Sequence, residues 1–543
     1  MVEPGPDGAD TPADVVIIGA GASGAAAAWA LARAGLRVVV LEQGDWIDPS
    51  AYPQNRVDAE RFRQSVFNRD PNVRKLPEDY PVDATDSPVD PLMFNAVGGS
   101  TIHWSGHFPR LRPSDFRVRS LDGVGLDWPV DYWELEPYYE ANDAAIGVAG
   151  LNGDPANPPR TPRSDRPLPL GAAGEAVVGG LEQLGWHWWP SDVAMITAPR
   201  DAARAACNGC GPCDLGCPVG AMSSAHVTYL PDALALGVEL ITRARVRELT
   251  VDDGGLVDGV VYYDRDGRLR VQRARVVVLG ANGVGTPRLL LNSVSARFPN
   301  GLANSSDQVG RNFMFHPVAT VKGIFPQRLD TERGPNGALL HSQEFYETDP
   351  ERGATRGFTL QVVRHDLPLG LALGDGPGKR LPWGAAHHEA HRALFSHGVT
   401  VVVIAEDLPE AHNRVTLSPT ETDSHGIAAP KVSYTLSENS RVLLDHGVAR
   451  AAELLEACGA HTVTADPFTR VSGWHLMGTT RMGDDPATSV VNRWGRCHDV
   501  GNLFVVDGSV FVTSGPVNPT STIQALARRT ADWLIEHFEE VAR

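Results

Sequence analysis

Cysteine is scarce in this chain: there are six in 543 residues, and four of them fall between Cys207 and Cys217. So few, so unevenly spread, exclude a scaffold stapled by disulfides. Positive charge is also short. The chain has 48 Lys and Arg against 66 Asp and Glu, a formal net charge of −18. Nucleic-acid binding needs a basic face, and this composition argues against it. An acidic surface could draw in a cationic substrate; its plainer role is to keep the protein soluble. Long apolar runs are missing too. A membrane-spanning helix needs roughly 20 such residues, and the first apolar stretch, from Val15, is glycine-rich and broken by Arg33 and Arg37. The leading MVEPGPDGADTP has neither the basic region of a secretory signal nor a twin-arginine pair. It reads as a frayed tail, and the expectation is a cytoplasmic protein with no membrane span. Gly (55) and Pro (41) are plentiful but scattered, which excludes collagen-like and low-complexity chains. No unit of about 20–50 residues repeats.

What is present begins with VVIIGAGASGAAAAWALARAGLRVVVLEQGD. Four β-branched residues, Val15 to Ile18, run into Gly19, Gly21 and Gly24. An alanine-rich helix and a second buried strand follow, ending at Glu42, 18 residues after the last glycine. Gly19 makes the tight turn, Gly21 lets the backbone approach a pyrophosphate, and Gly24 lets helix and strand pack closely. The helix start at Ala22 and Ser23 offers bare N–H groups to phosphates. Glu42, with Gln43 beside it, can hold a ribose hydroxyl pair. In its full strand–turn–helix–strand context this signature predicts a dinucleotide site; it does not by itself separate FAD from NAD.

Three further segments follow. NAVGGSTIHWSG crowds small residues at Gly98, Gly99, Ser100 and Thr101, where backbone can lie against a flat ring or a diphosphate. VVVLGANGVGTPRLLLNS reads as a return strand, a glycine turn at Gly280 and Ala281, and a helix starting near Pro287. In GNLFVVDGSVFVTSGPVNPTSTIQALARRTADWL a strand Leu503 to Val506 ends at Asp507 and Gly508, and a helix begins near Thr520 behind Asn518 and Pro519. With WPVDYWELEPYYEAND, VGRNFMFHP, AEDLPEAHNRVTLSP and GWHLMGTTRMG, this order resembles the glucose–methanol–choline (GMC) family of FAD oxidoreductases across nearly the whole chain. The blend is most similar to the branch of pyranose oxidases and of sugar, gluconate and glycoside dehydrogenases.

The resemblance implies oxidation of a CH–OH group to a carbonyl, with a hydride going to flavin N5 and a proton to a side chain. It places the base at His475 and its partner at Asn518, 43 residues on. Among cofactor contacts it includes Val246, Gly280, Ala281, Asp507, Gly508, Pro519 and Thr520, and the last helix would aim its positive end at the flavin pyrimidine. His103, followed by Trp104, has the spacing of the histidine that some members bond to FAD. Many relatives with a similar pair form no bond, and packing near the ring without one is expected.

The cysteine run is C-x2-C-x2-C-x3-C-P, the spacing of bacterial ferredoxins, although no second run exists to share a fourth ligand. In the resembling dehydrogenase branch, Cys207, Cys213 and Cys217 match the ligands of a three-iron cluster, and Cys210 is the extra residue. The expectation is an iron–sulfur cluster, [3Fe–4S] or [4Fe–4S], exporting electrons to an acceptor protein or small acceptor; structural zinc and no metal are the alternatives. Two substrate readings stay open, a sugar, sugar acid or glycoside, and an aminosugar such as an aminoglycoside intermediate. An oxygen-using alcohol oxidase with structural cysteines is the competing activity, and a flavin protein without turnover the other. The expected architecture is α/β. A discontinuous FAD domain (1–165, 225–312 and 465–543) carries a parallel sheet, and a substrate domain (166–224 and 313–464) carries an antiparallel one. HGVTVVVIAEDL, NRVTLSP and PKVSYTL supply strands roofing the flavin, and Leu367 to His388 forms a lid or surface excursion.

Overall fold

The β-branched run near the start of the chain becomes the centre of a sheet. The computed structural model describes residues 3–4, 12–62, 65–364, 368–373 and 381–542. The leading tail therefore lies almost wholly outside the described residues, as do 367 and 374–380 of the excursion. Strand Ala13–Ile18 pairs in parallel with Val38–Leu41 on one side and with Leu269–Leu279 on the other. Val15, Val16 and Ile17 are fully buried, which is why the strand is apolar on both faces rather than alternating. Glu239–Ile241 extends the sheet beyond Val38–Leu41, and Leu503–Val505 joins the C-terminal half of Leu269–Leu279, both in parallel. The N-terminal half of that long strand turns instead into an antiparallel meander with Val257–Tyr263 and Arg245–Val251. Helix Ala22–Arg33 packs against helix Thr520–Glu536, so the first and last helices of the chain lie side by side.

A second, six-stranded sheet is antiparallel throughout, in the order Thr462–Asp466, Val318–Ile324, Gly398–Ala405, Phe358–Val363, Ala338–Ser342, Trp189–Pro190. Helix Glu438–Ala457 covers one face. A Cβ on Gly447 would stand 2.4 Å from Val403 Cγ1, so a glycine in mid-helix lets the helix sit down on the sheet. The opposite face looks onto the central cavity. The chain thus has the expected α/β class, a Rossmann-like parallel sheet joined to an antiparallel one.

Three local expectations need correction. Of the three strands expected to roof the cavity, only Gly398–Ala405 belongs to the six-stranded sheet. Arg414–Thr422 and Ala428–Ser433 form a separate hairpin that takes up Asp83–Asp86 as a third strand. The hairpin is held to helix Asn282–Asn292, where Arg288 donates to the Ala428 carbonyl at 2.9 Å. That helix begins at Asn282, not near Pro287, which lies inside it. Proline there deprives the Gly283 carbonyl of its helical donor; the Thr479 hydroxyl supplies a replacement at 2.8 Å. The strand before Asp507 ends at Val505.

Candidate active site

Between the two sheets lies a cavity of about 620 Å³. Every predicted cofactor and catalytic residue lines it except Gly24 and Gly98. Those two act in packing. A Cβ on Gly24 would fall 1.9 Å from the Gly19 carbonyl, and Gly98, at φ +103°, would drive one to 2.8 Å from His226 Nδ1. The two glycine loops meet backbone to backbone, since a Cβ on Gly99 would lie 3.0 Å from Gly21 Cα.

Glu42 is buried at the end of its strand, and burial raises its pKa. Its two oxygens accept from Ala20 N and Gly44 N, each at 2.8 Å, so it braces the first loop. Asp507 is likewise internal: it accepts from Asn282 N at 3.0 Å, Thr286 Oγ1 at 2.6 Å and Ser509 N at 2.9 Å. It clamps two cofactor segments together. Pro519, Thr520 and Ile523, the start of the last helix, face the cavity. His103 and Trp104 are covered, yet His103 Nε2 and Trp104 Nε1 have no hydrogen-bond partner. The His103 Nδ1 is 3.1 Å from the Asp214 carbonyl. Orphaned polar atoms on a slot of this shape fit a bound flavin covering them.

At the other end His475 Nε2 stands 3.3 Å from Asn518 Nδ2, so the predicted pair meets in the cavity. Burial holds the His475 pKa well below the usual imidazole value, helped by the neighbouring His316 and His107; the ring is neutral and can accept a proton. Three residues beside this pair were not foreseen. His316 touches His475, Nδ1 to Nδ1, at 2.7 Å. Gln361 donates to Asn518 Oδ1 at 2.7 Å. His107 lines the cavity with its pKa pushed down by burial to about 3. VGRNFMFHP contains His316, and nothing local marks it. It meets His475 because a bridge between Met314 and Met477 runs antiparallel, which sets position 316 opposite position 475. Carboxylates on the cavity wall are Glu42, Asp214 and Asp507, and Asp214 is ion-paired with Arg69.

The cysteine segment backs onto this site. Cys213 is buried among Val193, Met195 and Met222, with Trp104, Cys207 and Cys217 packed around. Burial raises the Cys210 thiol to about 11 and pushes the Cys213 thiol well above its usual value, and the other thiols add to both shifts. Among the described residues, no group of three or more His, Cys, Asp or Glu could hold a metal ion. Zinc gathers its ligands around one ion, and the folded segment shows a gathered site for neither zinc nor an iron–sulfur cluster. An iron–sulfur cluster takes an all-thiolate donor set, to which these neighbouring thiols conform in chemistry.

A sequence profile described as GMC oxidoreductase matches residues 164–318 and 409–527, and one described as FAD dependent oxidoreductase matches 14–51. The chain is 42% identical to 2-methyl-1,2-propanediol dehydrogenase of Mycolicibacterium austroafricanum, over 97% of this chain and 96% of that one. It is 32% identical to the fructose dehydrogenase large subunit of Gluconobacter japonicus (97% and 98% covered). It is 33% identical to 6'''-hydroxyparomomycin C oxidase of Streptomyces lividus (99% and 93% covered). The fold is shared with a formate oxidase of Aspergillus oryzae, at a TM-score of 0.68 and 15% identity over 98% of this chain and 99% of that one. The chain belongs to the GMC oxidoreductase family and is an FAD-dependent enzyme that oxidises alcohol groups.

Proposed function

We propose that the enzyme oxidises a CH–OH group of a small, neutral, hydroxyl-rich alcohol such as a diol or sugar, with His475 as base and Asn518 as its partner. The observation that carries this reading is the set of side chains at the substrate end. They are His475, Asn518, Gln361 and His107, with Val318, Val402 and Ile404 of the antiparallel sheet also lining the cavity. These are neutral hydrogen-bonding groups on an apolar wall, suited to hydroxyls. A polycationic aminosugar would call for unpaired carboxylates, and the three on the wall are each engaged within the protein. The propanediol and fructose dehydrogenases among the relatives agree with a neutral substrate; the paromomycin-type oxidase does not favour it.

Bound FAD supplies the hydride acceptor. The chain's part is to hold the carbinol between His475 Nε2, which takes the hydroxyl proton, and the Asn518 amide, which fixes the oxygen. The first turn of the last helix lines the cavity, and its N–H groups would favour negative charge on a cofactor held there. Cys207, Cys210, Cys213 and Cys217 would hold an iron–sulfur cluster, which passes single electrons where a flavin collects two.

The experiment is anaerobic flavin bleaching with a panel of neutral diols, sugars and aminosugars. Bleaching by neutral members at low concentration supports the reading; bleaching by aminosugars alone overturns it. For the cysteines, purified protein should contain iron that Cys213→Ser removes. Iron-free wild type with rapid peroxide release in air would assign the enzyme to the oxidases.

A further inference from the structure

The hydrogen bonds around His475 form a directed chain that begins at a backbone carbonyl. His316 is 1% exposed, and its Nε2 contacts the Gly515 carbonyl oxygen. A carbonyl can only accept, so His316 carries its proton on Nε2. Burial pushes the His316 pKa down to about 4, so the ring is neutral at working pH and its Nδ1 is a bare acceptor. The His475 Nδ1 at 2.7 Å must therefore be the donor. A neutral His475 protonated on Nδ1 has an unprotonated Nε2, the atom that faces Asn518 Nδ2 at 3.3 Å. At the far end the same polarity holds: Gln361 occupies the Asn518 oxygen at 2.7 Å, which leaves the Asn518 N–H₂ to point at His475. The two imidazoles cross nearly perpendicular, at 87° with centroids 4.8 Å apart, an arrangement that aims each lone pair and N–H along the shared line.

Resting on the reading of His475 as base, we propose that His316 is its positioning residue: the Gly515 carbonyl sets the tautomer of His316, His316 sets that of His475, and the bare Nε2 so produced receives the substrate proton. The same contact serves during turnover. The substrate O–H breaks and its proton bonds to His475 Nε2, while the C–H hydrogen leaves with its electron pair for the flavin. The positive charge left on His475 is then shared, as its Nδ1 proton shifts along the 2.7 Å contact towards His316 Nδ1. A carboxylate commonly orients a catalytic histidine; a neutral imidazole does it here without adding a charge beside the cofactor. The titratable groups acting on His475 are His316 and His107, both of which lower its pKa.

The test uses flavin-loaded enzyme with ¹⁵N-labelled histidine, together with His316→Leu and His316→Gln. Wild-type His475 should show a protonated Nδ1 and an unprotonated Nε2; the opposite tautomer overturns the proposal. Leucine offers no acceptor. His316→Leu should keep its flavin and slow anaerobic flavin reduction by about a hundredfold. The glutamine amide oxygen can accept from His475 Nδ1, so His316→Gln should recover at least about tenfold of that loss. Equal rates in the two variants would mark His316 as mere packing. If His316→Leu loses its flavin, the tautomer and the glutamine variant decide. His475→Ala separates the two claims. A dead His475→Ala with an unimpaired His316→Leu contradicts only the positioning role, whereas an active His475→Ala removes the base itself.

Discussion

At the scale of single residues, the site is a set of buried groups whose charge is chosen by their surroundings. His475, His316 and His107 are all kept neutral by burial. Asp407, close behind them, is a carboxyl that burial raises to about 7, against the pull of hydrogen bonds from Tyr434 at 2.8 Å and Ser440 at 3.0 Å. Its folded pKa lies above its unfolded value, so the folded state holds a proton that the unfolded chain has already released. Stability from this group is complete below about pH 4 and is lost as pH rises to about 7. Asn at 407 can keep an oxygen towards Tyr434 and turn its amide to Ser440. Thermal melts should therefore show Asp407→Asn gaining on wild type at pH 8 and losing that advantage at acid pH; a gap independent of pH would refute the assignment. Which residues line the site was readable where chemistry follows backbone shape. Gly19, Gly24 and Gly99 are demanded by close approach, and that demand is written in the chain. His316 and Gln361 were not readable, because their roles depend on pairing between segments more than a hundred residues apart.

At the scale of elements, motifs announced where a strand or helix would be but not which sheet would claim it. The parallel strands were legible as unbroken β-branched runs. The hairpin Arg414–Thr422 and Ala428–Ser433 has the same alternation as a roof strand, and only its grip on helix Asn282–Asn292 assigns it elsewhere. That helix also shows how a local rule yields to a distant side chain. Pro287 sits inside it because Thr479 caps the freed Gly283 carbonyl. Thr479→Val keeps the shape and removes the hydroxyl, leaving a buried acceptor bare at a cost of about 1–3 kcal/mol. Chemical denaturation should register that loss, with weaker flavin retention because the same helix abuts the cavity. Unchanged stability would mean that another group satisfies the carbonyl. The four cysteines show the complementary limit: spacing reveals donor type, while convergence on an ion is a property of the folded segment.

At the scale of the whole molecule, the cofactor slot is walled by residues from positions 18 to 523, so a bound flavin ties the ends of the chain to its middle. A ligand that binds only the folded state stabilises it by about 4 kcal/mol at a thousandfold excess over its Kd. Stripping FAD should lower Tm by several degrees and adding it back should restore the value; a melt indifferent to FAD would contradict the fit of the cavity. The central claim is that His475 takes the proton of an alcohol held against that flavin. The most direct measurement is the anaerobic reduction rate of the flavin by its best alcohol substrate, in wild type and in His475→Ala loaded with equal flavin. The account predicts a rate lower by about 10²–10⁴ in the variant, with flavin content unchanged. Equal rates would contradict it.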